Sequence, residues 1–153
     1  MPADKLRSLI DLREAVSPKD LGTVFEIRRR VFVDEQKVPE EHERDATDDR
    51  SVHLLAVLDG VPVAAARLFV DAMDARTAWI GRLAVLPESR RTGVATTIIR
   101  YFIDWSCRHQ MHRIRLHAQE YVRGLYRKLG FEECGGMFLE ENILHVEMIL
   151  RLS

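Results

Sequence analysis

This chain of 153 residues has few of the sequence features that mark disulfide-rich, membrane or nucleic-acid-binding proteins. Its two cysteines, Cys107 and Cys134, form no metal or redox spacing, which indicates reduced thiols rather than a disulfide framework. No apolar run approaches the roughly 18 residues that cross a membrane, and the N-terminus lacks the apolar core of a signal peptide. The net charge of −1 leaves no overall basic surface for nucleic acid. We therefore expect a cytoplasmic protein that binds neither membranes nor nucleic acid.

Both standard phosphate-binding fingerprints are also missing, since there is no Walker loop and no Gly-x-Gly-x-x-Gly. The chain does contain IGRLAVLPESRRTGVATT at 80–97, which predicts a strand, a short loop and a helix start. A helix N-terminus offers free N–H groups, Gly93 lacks a Cβ that would block close approach, and Arg90 and Arg91 add positive charge. We interpret this loop as a pyrophosphate cradle for a nucleotide-like cofactor. An ordinary basic turn before a helix is the alternative.

The apolar periodicity predicts one domain over residues 1–153 with the order β-α-β-β-β-α-β-α-β-β. The predicted strands are 6–15, 52–58, 61–71, 77–86, 113–119, 131–139 and 143–152, and the predicted helices are 18–35, 93–109 and 121–129. Asp59-Gly60 predicts a two-residue hairpin, and residues 77–119 predict one parallel crossover. Residues 35–50 predict a loop, with or without one helical turn. We expect an α/β fold with a mixed, mostly antiparallel sheet and helices on both faces.

Two motifs resemble those of the GNAT N-acetyltransferases. Residues 90–95, RRTGVA, are similar to the acyl-CoA loop of that family, Arg/Gln-x-x-Gly-x-Gly/Ala. Residues 119–131, QEYVRGLYRKLGF, resemble Asn-x-x-Ala-x-x-x-Tyr-x-x-x-Gly-Phe, although Gln119 replaces Asn and Val122 replaces Ala. Residues 28–36 and 138–148 further resemble the ElaA-like subgroup, which supplies no substrate.

This resemblance implies the acyl-CoA N-acyltransferase fold with splayed strands, and acetyl-CoA as co-substrate. The pantetheine arm is expected to form strand-like hydrogen bonds with the fourth predicted strand, at Leu83, Ala84 and Val85. The pyrophosphate is expected to bind Arg90, Arg91, Thr92, Gly93, Val94, Ala95 and Thr96. Gln119 is a candidate for holding the cofactor or a water through its amide.

Tyr126 is the candidate general acid. A phenol stays protonated at neutral pH, so it can donate a proton to the CoA thiolate as that group leaves. The alternative is a tyrosine that only packs beside Leu125 and Leu129.

His117 is the candidate general base, because it lies on the polar side of its predicted strand and histidine titrates near neutrality. Other candidates for this role are His145, Glu35 and Glu120. A surface or hydrogen-bonded side chain without a catalytic role is the alternative for each. His109 and His112 lack accompanying ligands, so we predict no metal.

Residues 35–49 include seven acidic side chains. Since the region after the first helix borders the acceptor pocket in GNAT proteins, we expect a cationic primary amine, on a small molecule or a peptide. Candidate acceptor-site residues are Arg28, Glu35, Gln36 and His145. The alternative is a solvated loop in which Arg28 merely pairs with one of the acids.

The predicted reaction is direct attack of the amine on acetyl-CoA in a ternary complex. Neither cysteine lies in a motif that suggests an acyl-enzyme. A non-catalytic acetyl-CoA sensor or regulatory module is the alternative. A homodimer is expected by analogy alone.

Overall fold

The computed structural model describes residues 9–152, so residues 6–8 of the first predicted strand lie outside the described residues. The described chain divides into two compact units. The first unit contains residues 9–45, 52–66 and 82–98, and the second contains residues 46–51, 67–81 and 99–152. No helix within 9–152 combines the length and the apolar character that a bilayer crossing requires. The expectation of one domain over 1–153 stays a prediction.

The strands and helices follow the predicted order, and a short helix is added between the first helix and the second strand. The strands are β1 (Ile10–Glu14), β2 (Val52–Leu58), β3 (Val61–Val70), β4 (Thr77–Val85), β5 (Arg113–Gln119), β6 (Glu132–Glu140) and β7 (Ile143–Arg151). The α-helices are α1 (Pro18–Arg28), α2 (Glu40–Glu43), α3 (Val94–Arg108) and α4 (Arg123–Lys128). Single 3₁₀ turns occupy Ala46–Arg50, Pro87–Ser89 and Glu120–Val122.

The strands form a seven-stranded sheet in the order β1-β2-β3-β4-β5-β7-β6. Strands β4 and β5 pair in parallel, whereas β5 with β7 and β6 with β7 pair antiparallel. The mixed, mostly antiparallel sheet with one parallel crossover is therefore confirmed. The parallel register ends at Ile80 and Leu116, although β4 continues to Val85 and β5 to Gln119.

Helix α1 begins where the sequence predicts. Ser17 caps it by accepting a hydrogen bond from the Asp20 N–H (3.1 Å), and Pro18 occupies the first turn, where its missing N–H costs nothing. The helix continues as a π-helix over Arg29–Glu35, and the Gln36 N–H bonds to the Val31 carbonyl five residues earlier. The predicted end at Glu35 is confirmed, but the winding of the last seven residues differs from an α-helix.

Tight turns join the hairpin strands. Asp59 and Gly60 both have positive φ (51° and 83°), as the two-residue turn between β2 and β3 requires. Glu141 and Asn142 repeat this geometry between β6 and β7 (φ 51° and 61°). The predicted hairpin at Asp59-Gly60 is thus confirmed.

Each unit has its own buried apolar residues. In the first unit one buried apolar cluster contains Ala15, Val24, Ile27, Val31, Leu55, Val57, Ala65, Ala84 and Leu86. In the second unit the alternation of β5 buries Ile114, Leu116 and Ala118, whereas its other residues are partly or fully exposed. That alternation places His117 on the more exposed side of its strand, as predicted.

Candidate functional site

The loop predicted to bind a pyrophosphate connects β4 to α3 in the first unit. Arg91 and Gly93 have left-handed backbones (φ 64° and 86°), and the Gly93 carbonyl accepts the N–H of Thr97 (3.0 Å). The N–H groups of residues 94–96 precede that bond and have no acceptor within the helix. A Cβ placed on Gly93 would meet nothing within 4 Å. The loop is an open set of amide donors at a helix N-terminus, which fits an anion.

The two arginines of this loop differ in what they contact. Arg90 donates to both carboxylate oxygens of Glu35 (2.7 and 2.8 Å), and its Nε donates to the Val85 carbonyl (3.0 Å). Arg91 is exposed and has no ion-pair partner within the described residues. The charge available to a phosphate is therefore that of Arg91. Arg90 instead links the π-helix to the end of β4.

Glu35 is affected by the same ion pair. The hydrogen bond from Arg90 lowers the pKa of Glu35 below its ordinary value, against a smaller effect of burial. A carboxylate with a lowered pKa is a weaker proton acceptor. This environment disfavours Glu35 as the general base.

Residues 83–85, expected to hold the pantetheine arm, lie beyond the last pair of the parallel register. Ala84 is fully buried, and Leu83 and Val85 are half-buried. The Leu86 N–H bonds to Val63 on β3 (2.9 Å), which holds this end of β4 in the sheet. Arg82, immediately before the segment, has a left-handed backbone (φ 52°) inside the strand.

A buried ion-pair cluster of Arg28, Glu43 and Arg82 lies in the first unit. Arg28 is 1% exposed and Glu43 is 4% exposed, and their Nη2 and Oε2 atoms are 2.9 Å apart. The Nε of Arg82 donates to the same carboxylate (3.0 Å) and to the Glu43 carbonyl (3.1 Å). The alternative in which Arg28 pairs with an acid of the following segment is confirmed, so we carry Arg28 no further as an acceptor-site residue. No local sequence signal identifies Arg82, since Glu43 lies 39 positions away.

Much of the acidic segment is neutralised within the chain. Four of its seven acids pair with arginines: Glu35, Glu43, Asp45 and Asp48. Glu40, Glu41 and Asp49 have no ion-pair partner within residues 9–152. The remaining local charge is smaller than the sequence count implies. Gln36, the other acceptor candidate at the end of the π-helix, is half-buried.

An open groove of about 510 Å³ lies along α1 and α2 in the first unit. Its lining includes three acids, Glu26, Glu40 and Glu43, and two arginines, Arg29 and Arg44. The guanidinium of Arg44 lies over the ring of Phe25 at 3.7 Å. Glu26 pairs with Arg29 and Glu43 pairs with Arg28, so Glu40 is the lining carboxylate without an ion-pair partner among the described residues.

The predicted base, His117, lies in the second unit beside two carboxylates. Its Nδ1 is 2.9 Å from Oε1 of Glu140, and its Nε2 is 3.5 Å from Oε1 of Glu147. The ring also makes edge contacts with Trp79 and Phe138, with centroids 5.4 and 4.9 Å apart. The hydrogen bond to Glu140 raises the pKa of His117, partial burial opposes this, and both carboxylates add to the increase.

His145 is brought close to the same carboxylate. It is 6% exposed, its Nδ1 lies 2.7 Å from the Ile143 carbonyl, and its Nε2 lies 3.8 Å from Oε2 of Glu140. Gln119 is its cross-strand partner, which also brings two predicted site residues together. Glu140 itself was not predicted. The predicted strand 131–139 stops one residue short of Glu140, whereas β6 extends to Glu140 and so includes it.

Tyr126, the predicted acid, is almost completely buried in the second unit. It is 5% exposed and packs edge-on against Phe131, with centroids 5.8 Å apart. Its hydroxyl has no hydrogen-bond partner within the described residues, and the oxygen is not among their fully buried unpartnered polar atoms, so it keeps some exposure. Burial raises the pKa of Tyr126, so the group stays protonated and can donate to a ligand.

Glu120, the remaining candidate base, begins an exposed 3₁₀ turn.

Within residues 9–152 no three His, Cys, Asp or Glu side chains are arranged to hold a metal ion. The absence of a metal stays a prediction.

Comparison with known proteins identifies the family. The model of the Acetyltransferase (GNAT) family matches residues 21–131. The UPF0039 protein C11D3.02c of Schizosaccharomyces pombe is 36% identical over 137 residues, which cover 88% of this chain and 89% of that protein.

Solved structures agree with this match. An acyl-CoA N-acyltransferase from Pseudomonas aeruginosa is 26% identical, with a TM-score of 0.79 over 93% of this chain and 98% of that chain. Escherichia coli ElaA shares the fold at 23% identity, with a TM-score of 0.80 over 93% of this chain and 98% of its own. The chain therefore belongs to the GNAT family of acetyltransferases.

Proposed function

We propose that the protein transfers an acetyl group from acetyl-CoA to a primary amine. The observation that carries this proposal is the loop before α3, where the N–H groups of residues 94–96 have no acceptor within the helix and Arg91 has no ion-pair partner among the described residues. These donors would hold the pyrophosphate of CoA. The backbone of residues 83–85 would hold its pantetheine arm by strand-like hydrogen bonds, with Gln119 as a further amide contact.

The reaction needs a neutral amine and a protonated leaving group. His117 takes one proton from the acceptor ammonium, and the freed amine attacks the acetyl carbonyl carbon. The N–C bond forms, the C–S bond breaks, and the sulfur leaves with the proton of the Tyr126 hydroxyl. The second amine proton passes to water, and solvent restores the proton of Tyr126. The products are the N-acetylated amine, CoA thiol and one proton.

The acceptor that we propose is a cationic primary amine. Three acids of the segment after α1 have no ion-pair partner within residues 9–152, and one of them, Glu40, lines the groove along α1 and α2. Cys107 and Cys134 are both free thiols, which supports the cytoplasm as the compartment.

Calorimetric titration with acetyl-CoA tests the cofactor site. We expect micromolar binding that is abolished in Gly93→Glu, because the larger side chain fills the cradle and adds negative charge. Arg91→Gln should weaken binding about 10-fold, the size of one lost charge-assisted hydrogen bond. Arg100→Gln, on the exposed side of α3, is the control and should keep the affinity of the parent. Lack of binding at millimolar acetyl-CoA would overturn the proposal.

Turnover is tested next with a panel of cationic, neutral and anionic amines, by detecting the released CoA thiol. Acetylation of at least one amine is the expected result. Binding of acetyl-CoA without thiol release from any amine would favour the sensor alternative. A rate preference for anionic acceptors would contradict the cationic substrate.

A further inference from the structure

We propose that Glu140 is a positioning residue that holds His117 in the tautomer able to deprotonate the acceptor amine. The inference rests on the proposed function, because it assigns a partner to the base of that reaction. Two observations support it. The first is the hydrogen bond between the two side chains, and the second is the hairpin of β6 and β7, which places the carboxylate beside the ring of His117.

The contact determines which ring nitrogen carries the proton. The carboxylate of Glu140 only accepts hydrogen bonds, so the 2.9 Å approach of Nδ1 to Oε1 requires the hydrogen to be on Nδ1. In the neutral imidazole the lone pair is then on Nε2. The base of the reaction is therefore Nε2, and Glu140 stabilises the imidazolium that forms when Nε2 takes a proton, as the acid of a catalytic triad does for its histidine.

The backbone brings Glu140 to this place from a distant part of the chain. Glu140 is the last residue of β6 and pairs with Ile143 across the turn of Glu141 and Asn142. His117 lies two strands away and pairs with Glu147 on the intervening β7. A two-residue turn requires left-handed backbones at both of its residues. The turn therefore determines where β6 ends and where the carboxylate of Glu140 lies.

Three further side chains lie around His117, namely Glu147, Trp79 and Phe138. Glu147 approaches Nε2 at 3.5 Å, but its second carboxylate oxygen is paired with Arg115, which offsets its charge. On β4, Trp79 contributes a ring edge, and its indole N–H donates to Asp71 (2.8 Å). Phe138 contributes a second ring edge.

His145 approaches the other oxygen of Glu140. At 3.8 Å its Nε2 is beyond hydrogen-bond distance, and its Nδ1–H donates to the Ile143 carbonyl. Its effect on Glu140 is therefore electrostatic. Of the two carboxylates beside the ring, Glu140 makes the shorter hydrogen bond to His117, at 2.9 Å against 3.5 Å for Glu147, and its hydrogen bond contributes most to the raised pKa of His117.

A pH dependence follows from this arrangement. The hydrogen bond to Glu140 raises the pKa of His117 above its ordinary value, so the charged imidazole persists to higher pH. A base acts only after losing its proton, and the rate should therefore rise as pH rises through that pKa. Glu140→Gln removes the charge of the carboxylate, so the rise should move to lower pH. The plateau should fall about 10-fold, because the imidazolium loses its stabilising charge.

Two measurements test the inference. Nuclear magnetic resonance titration of His117 in the full chain reports its protonation without any turnover, and the pH profile of kcat/KM reports its role. We expect Glu140→Gln to lower the midpoint in both, and Glu132→Gln, the same change on an exposed residue of the same strand, to move neither. In a His117→Ala background, Glu140→Gln should have no further effect on the rate, as a residue acting through His117 requires.

The inference can fail separately from the proposed function. If the titration midpoint of His117 is unchanged in Glu140→Gln while acetyl-CoA binding is retained, the proposed interaction between Glu140 and His117 is wrong. A lowered titration midpoint with an unchanged pH–rate profile would overturn its role in catalysis. An additional loss of rate in the His117→Ala background would show that Glu140 acts independently of His117. Absence of turnover in the parent protein with a lowered midpoint would instead reject the proposed reaction and confirm the contact.

Discussion

At the scale of single residues, the hydroxyl of Tyr126 bears directly on the proposed reaction. Its ring packs against Phe131 in a setting that is 5% exposed, which accounts for the tyrosine as a core residue. The packing does not need the hydroxyl, because a phenylalanine would pack equally well, and the oxygen keeps the exposure that contact with a ligand requires. A ligand that accepts a hydrogen bond would explain why a tyrosine is present.

Tyr126→Phe tests that explanation. We expect kcat for amine acetylation to fall by about 10²- to 10⁴-fold, the usual contribution of a general acid, because the thiolate would leave without a proton. Acetyl-CoA affinity and the denaturation midpoint should stay close to those of the parent, since the hydroxyl makes no hydrogen bond within residues 9–152. Thiol release, calorimetry and urea unfolding measure the three quantities. An unchanged kcat would exclude Tyr126 as the acid.

At the scale of the elements, the buried cluster of Arg28, Glu43 and Arg82 joins α1, α2 and β4. Helix α2 has only four residues and no side-chain cap, so local interactions cannot stabilise it. Glu43 is its one buried residue and contacts both arginines. The same contact occupies Arg82, the residue whose left-handed backbone precedes the predicted pantetheine segment.

Glu43→Ala should therefore destabilise the fold by about 3–5 kcal/mol, because Arg28 would stay buried without its carboxylate. Glu41→Ala, on the exposed side of the same short helix, is the matched control and should cost less than about 0.5 kcal/mol. Urea unfolding compares the free energies of unfolding of the two variants. Equal values would mean that the cluster does not stabilise the molecule.

The elements also show what the sequence can predict. Strand β5 has its predicted bounds because each of its residues alternates between two environments, a pattern contained within seven positions. The Asp59-Gly60 turn is equally local. The π-helix after Arg28 contains no residue type that is specific to this winding, so the sequence pattern does not predict it. The bond of Glu140 to His117 joins residues 23 positions apart, and only the register of three strands brings them together.

At the scale of the whole molecule, the charge is nearly balanced, with 23 basic and 24 acidic residues. Counting acids in residues 35–49 predicted a strongly negative segment, but internal pairing with distant arginines cannot be read from that count. The site motifs were predictable because the phosphate loop and the Tyr126 segment are each contiguous. The roles of Arg90 and Arg91 were not, since Glu35 distinguishes them through a contact 55 positions away.

The charge that remains at Glu40, Glu41 and Asp49 has a measurable effect. Replacing the three by Gln, Gln and Asn should raise KM for a cationic amine a few-fold and make KM less sensitive to salt, because the attraction is exposed and screened. KM for a neutral amine should not change, which provides the control. Steady-state kinetics at two ionic strengths measures both. An equal rise for both amines would point to a structural effect rather than attraction.

The ring contact between Trp79 and His117 gives the molecule an optical reporter. The chain has two tryptophans, and each lies beside a histidine: Trp79 next to His117, and Trp105 stacked on His109. A protonated imidazole accepts an electron from an excited indole and quenches its fluorescence, whereas the neutral ring quenches much less. Once Trp105 is replaced by Phe, the emission of Trp79 therefore follows the proton on His117 directly. The state of the proposed base can then be watched in real time, in a cuvette, while substrate binds.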